Sequence, residues 1–68
     1  MEIDSLAIKI LLAERGMTQA ALANTCGIAA QNISGILLKK RCSPLTVGKI
    51  ASAFGVPVSQ IIRRDDRG

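Results

Sequence analysis

Two side-chain amides, Gln31 and Asn32, stand next to each other near the middle of this chain. A carboxamide presents a donor beside an acceptor in one plane. Either residue can therefore pair in two-pronged fashion with a flat group that offers the reverse, as the edge of an adenine does. Other chemistry is thinly supplied. There is no histidine, and Cys26 and Cys42 are the only cysteines, which leaves neither a zinc set nor a disulfide framework. No nucleophile has a base to activate it, and no two carboxylates are spaced for acid–base work, so no enzymatic activity is expected. No metal, cofactor or small-molecule ligand is expected either. Both thiols are read as structural or incidental rather than as a redox switch.

The charges point to a partner class. Net charge is +4, and not one acidic residue lies between Glu14 and Asp65, whereas Lys39, Lys40, Arg41 and Lys49 do. The acids Glu2, Asp4, Glu14, Asp65 and Asp66 are held at the two ends. An acid-free middle with a basic cluster suits a polyanion, since each acid there would repel phosphate; a solvated basic turn is the plainer reading. Phe54 is the sole aromatic residue, which argues against stacking on the bases of single strands. Sixty-eight residues allow one domain, expected over 1–62, with a polar tail over 63–68. No run approaches membrane-spanning length and no signal-peptide pattern opens the chain, so a cytoplasmic setting is expected.

The elements that must position these residues are all helical. Asp4 caps a first helix, Ile3 and Ile8 staple it, and Gly16 ends it. Leu6, Ala7, Ile10 and Leu11 recur at helical spacing and define its expected apolar face. Thr18 caps a second helix, with Met17 and Leu22 as the staple and Gly27 as the stop. A third runs from about Ala29 or Ala30 to Leu38, poorly capped because alanine offers no acceptor, with Ile33, Ile36 and Leu37 inward. KKRCSP reads as a loop. Thr46 is the expected cap of a fourth helix, stapled by Leu45 and Ile50 and ended by Gly55. Pro57 opens a short fifth helix through Ile62. No repeat, low-complexity tract or strand-like alternation is present.

Helices two and three are short and separated by only a few residues, the spacing of two helices crossing at roughly 90–120°. The turn needs one residue at positive φ, which Gly27 supplies without steric cost. Gln19, Ala23, Gly27, Ile33 and Ile36 together form a strong signal. TQAALANTCGI, the IS of NISGI, and TVGKIASAFGVPVSQII resemble the Cro/C1-type (phage-repressor-like) helix-turn-helix family, over about Leu6 to Ile62. The resemblance implies an all-α, compact five-helix bundle of the lambda-repressor-like type whose third helix lies in the DNA major groove.

Two departures from the family pattern are informative. Many members pair an arginine with a glutamate where this chain has Leu12 and Leu37. Leu12 falls roughly 170° from the centre of the expected apolar face of helix one. Pairing with Leu37 explains it, since an apolar contact can replace a buried ion pair without loss. Lys39 stands where the family usually ends helix three with glycine, and lysine in a left-handed cap costs about 1 kcal/mol.

With helix three in the groove, Ala30, Gln31, Asn32, Ser34 and Gly35 are the expected base-reading positions, Gln31 foremost. Gly35 has no side chain, so the footprint is expected to be short. The resemblance assigns phosphate to Gln19 and the start of helix two, including Thr18. Lys39, Lys40, Arg41 and Ser43 are expected to approach the backbone next. Lys49 is either a phosphate contact or a solvated residue, and Leu45 is expected to make no contact. One short helix reads too little alone, so a homodimer on a palindromic site of double-stranded DNA is expected. Val56, Val58, Ile61 and Ile62 are its candidate surface, unless they only close the core. Leu38 is an outward apolar residue without a role. The leading reading is a transcriptional regulator, most simply a small prokaryotic or phage repressor. The alternative is a protein-interaction module of the same fold, antitoxin-like or an anti-regulator, with little DNA binding.

Overall fold

Asp4 accepts the N–H of Ala7 at 3.1 Å and so starts α1, Ser5–Arg15, in a computed structural model that describes residues 1–63. Ile3 and Ile8, either side of this cap, are both fully buried, which fixes the angle at which the chain enters the helix. Thr18 repeats the device for α2, Gln19–Cys26, accepting from the N–H of Ala21 at 3.0 Å. After Gly27, at φ 73°, comes α3, Ala30–Lys39, whose cap residue Ala29 has no side-chain hydrogen bond. α4 spans Pro44–Phe54, and a single 3-10 turn, Val58–Gln60, follows it. The tail expected over 63–68 lies outside the described residues apart from Arg63.

Among the described residues, four helices, not five, are therefore α-helical. The expected fifth is one 3-10 turn because its backbone is committed elsewhere. The carbonyl of Ile61 accepts from Asp4 N–H at 2.8 Å, Ile62 bridges Ile3, and Arg63 N–H donates to the Glu2 carbonyl at 3.1 Å. On its other side the same N-terminal segment meets the loop after α3. Ile3 N–H donates to the Lys40 carbonyl at 3.0 Å, and Cys42 N–H donates to the Met1 carbonyl at 3.1 Å. Residues 1–3 thus form a strap between 40–42 and 61–63, and this pairing was not foreseen. No single helix among the described residues is long and apolar enough to cross a membrane.

Two helix assignments need correction. α4 starts three residues early because Ser43, not Thr46, is its cap, accepting from Thr46 N–H at 3.3 Å, with Pro44 in the first turn. Proline's fixed φ is already helical and its missing N–H would have had no partner there. On α1 the buried face is Ser5, Ile8 and Leu12; Leu6 and Ile10 are 66% and 48% exposed. Leu12 is therefore on the true inner face, in one core with Leu37. Ser5 is the one buried polar side chain among the described residues, and its hydroxyl donates to the Leu37 carbonyl at 2.8 Å. That bond ties the start of α1 to the end of α3. At the other end of α1, Arg15 donates to the Phe54 carbonyl at 2.7 Å and lies 5.6 Å from the centre of the Phe54 ring.

Candidate nucleic-acid interface

α2 and α3 are bent by 110° across the Gly27 turn, which turns one flank of α3 outward while Ile33 and Leu37 anchor the other. With Ile33 and Leu37 buried, a pitch of 3.6 residues sends Gln31, Gly35 and Leu38 to the far side. Gln31 and Asn32 are exposed, Gly35 is half-buried, and Leu38 is 83% exposed.

An open cleft of about 470 Å³ runs along this flank. Gln31, Asn32, Gly35 and Lys39 border it from α3, and Arg41 and Thr46 border it from the following loop and α4. Ile28, Ile36 and Cys42 complete its lining. Gln31, Asn32, Gly35, Lys39 and Arg41 are residues the sequence singles out for contact with DNA; Thr46, read there as a cap, is not. Its Oγ1 lies 3.0 Å from Ser43 Oγ, and the three-residue spacing from a cap serine was the available signal. Gly35 leaves space there, since nothing lies within 4 Å of where a Cβ would stand.

The remaining expected residues fall outside the cleft. Ala30 is exposed at the first turn of α3. Ser43 is occupied as the α4 cap. Lys40 carries φ 61° and is the left-handed residue that ends α3, one position later than expected. With Arg41 it borders a second hollow, over the strap, beside Glu2 and Arg63. Thr18 and Gln19 mark the start of α2, where Thr18 takes the N–H groups of Ala21 and Leu22. The N–H groups of Gln19 and Ala20 have no acceptor within the helix. Ser34 does not border the cleft: its hydroxyl donates to Gln19 Oε1 at 2.9 Å.

Lys49 belongs to a different groove, between α2 and α4, which it shares with Thr25, Cys26 and the 72% exposed Leu45. Of the expected dimer surface, Ile61 is fully buried and has nothing to offer a second copy. Val58 is exposed, while Val56 and Ile62 are half-buried against the core. Both cysteines are free, and burial pushes both thiols up. Lys49 beside Cys26 and the amino terminus beside Cys42 only partly offset this. Thiols raised in this way are poor nucleophiles at neutral pH.

A family model described as helix-turn-helix matches residues 8–61. Two solved structures share the fold along this whole chain. One is a mutant of hydroxyethylphosphonate dioxygenase, 24% identical with a TM-score of 0.77. The other is native PhpD with cadmium atoms, 25% identical with a TM-score of 0.77. This chain spans only 15% of the length of either, so the likeness concerns one small part of each. No curated protein matches the sequence.

Proposed function

The chain belongs to the Cro/C1-type helix-turn-helix family of DNA-binding regulators, and from that premise we propose that it binds a specific operator as a dimer and represses transcription there. The family is one of regulatory DNA-binding domains rather than of enzymes. The observation that carries the finer reading is the cleft beside α3. Two carboxamides, a side-chain-free Gly35, Lys39 and Arg41 share one open surface, in a stretch of sequence that holds no acid.

In this reading α3 enters the major groove by its N-terminal half. Gln31 pairs with a base, most simply adenine, and Asn32 with a neighbouring base or a phosphate. Ala30 and Gly35 allow close approach, Ala30 by packing on a thymine methyl. Lys39, Lys40 and Arg41 engage the backbone on one side, and Thr18 and Gln19 on the other, where unpaired N–H groups favour an anion. Ser43 and Thr46 support the first of these contacts by holding the start of α4. A second copy doubles the short footprint on a half-site about 34 Å away. Val58, with the partly exposed edges of Val56 and Ile62, is the surface for it. The chain from 1 to 62 is taken as one DNA-binding domain.

Selection from a random double-stranded library near physiological salt tests this, repeated with Gln31→Ala. The expected outcome is a two-fold motif that relaxes at one position per half-site in the variant, where a bidentate contact worth about 1–3 kcal/mol is lost. No enrichment would overturn it. The exposed Leu38 and Leu45 favour a second reading, a protein-interaction module, and salt separates the two. About 6–10 phosphate contacts give a slope of log affinity against log salt of roughly −5 to −9, whereas an apolar partner gives almost none.

A further inference from the structure

Ser34 lies one turn beyond Ala30 on α3, where its sequence position suggested a base reader. Its hydroxyl hydrogen is instead donated to Oε1 of Gln19, at 2.9 Å across 15 residues of chain. Gln19 is half-buried as the first residue of α2, whereas Ser34 is exposed.

The consequence follows from the chemistry of an amide. A free glutamine turns its carboxamide end over easily, and half of its orientations present oxygen to an approaching anion. With Oε1 taken by Ser34, one of the two flipped orientations of the amide is favoured, and its amino group is left free of Ser34. That group has two N–H donors and no acceptor character. At the same helix start, the backbone N–H groups of Gln19 and Ala20 lack acceptors within α2. A neutral set of oriented donors at a helix start suits one phosphate oxygen cluster.

We propose that Ser34 is a positioning residue: it locks the Gln19 carboxamide with its amino group presented to a DNA phosphate, and reads no base. This rests on the DNA-binding reading above. It also makes the anchoring of α2 depend on a side chain of α3, so the phosphate contact and the base-reading helix share one register.

The test uses the full chain and the duplex it selects, with Ser34→Ala, Gln19→Ala and the double variant. Ser34→Ala should weaken binding by roughly two- to tenfold, the range of one neutral hydrogen bond, equally on the selected duplex and on base-substituted ones. In the Gln19→Ala background it should cost nothing further. A change of preference at one base pair would mean that Ser34 reads sequence, and full additivity would mean that the two residues act apart; either result overturns the proposal. In the DNA-free protein, Ser34→Ala should release the Gln19 side-chain amide into fast motion seen by nitrogen relaxation, without moving the thermal midpoint. An unchanged amide, or a large drop in the midpoint, also overturns it. If the wild-type chain selects no duplex, the DNA-binding reading itself fails and this proposal fails with it, whereas binding with additive variants sinks the proposal alone.

Discussion

At its N-terminal end α3 is reached through Gly27, whose φ of 73° closes the turn with local atoms. At its C-terminal end it leaves through Lys40, at φ 61°, a residue with a Cβ in the same left-handed region. A left-handed backbone costs a residue other than glycine about 1–2 kcal/mol. The first turn is therefore made by the residue that occupies it. The second is held from a distance, by Ile3 N–H on the Lys40 carbonyl and by the mutual pairing of Met1 with Cys42. The difference extends to what each end exposes. With Ala29 as cap, no side chain takes the first N–H groups of α3, and those of Ala30 and Gln31 have no acceptor within the helix. The exit instead carries the basic run Lys39 to Arg41 on a backbone fixed by three parts of the chain.

The contrast breaks first at Ile3. Its side chain is fully buried, and Ile3→Ala should cost about 2–5 kcal/mol in urea unfolding. Amide exchange should rise at Cys42 while Ile28, which donates to the Ala23 carbonyl across the first turn, stays protected. A loss well under 1 kcal/mol would mean that the exit holds itself. Gly27→Ala comes next, at about 1–2 kcal/mol. Nothing lies within 4 Å of the added Cβ, so the whole loss is conformational, and a neutral result would remove the first turn's dependence on glycine. Lys40→Gly has the smallest effect and the opposite sign. Relief of the left-handed strain should stabilise the protein by up to about 1 kcal/mol, reduced by the added freedom of the unfolded chain. The thermal midpoint reports this, and destabilisation would show that the lysine stem packs usefully over the strap.

The same contrast explains what could be read in the sequence. Asp4, Thr18 and Gly27 act on their own neighbours, and the helix starts and turn expected from them are those observed. Ser43 and Thr46 both offered an oxygen at the start of α4, and only the fixed φ of Pro44 decides between them. The face of α1 was misread because Leu6, Ile8, Ile10, Leu11 and Leu12 crowd one short run. Apolar residues on every side leave no contrast for a period to show, so the neighbouring helices choose. Residues 1–3 are too few to carry any periodicity, and the strap they make is invisible until 40–42 and 61–63 are in place. That Gln31, Asn32, Lys39 and Arg41 would share one surface was legible from type and position. The bond of Ser34 to Gln19 was not, because the two residues come from different helices.

The strap also sets an order of events. Joining residues 1–3 to 40–42 and 61–63 closes the longest loops in the described chain, and long loops are the most expensive in entropy to close. The contacts of α2 with α3, by contrast, are local and form early in a helical chain. α3 is thus packed on α2 before the backbone at its exit is secured, and it is secured only once residues 61–63 complete the pairing. A chain cut before residue 61 should keep its amides on a helix packed by α2 and lose one side of the pairing that shapes the loop bearing its cations.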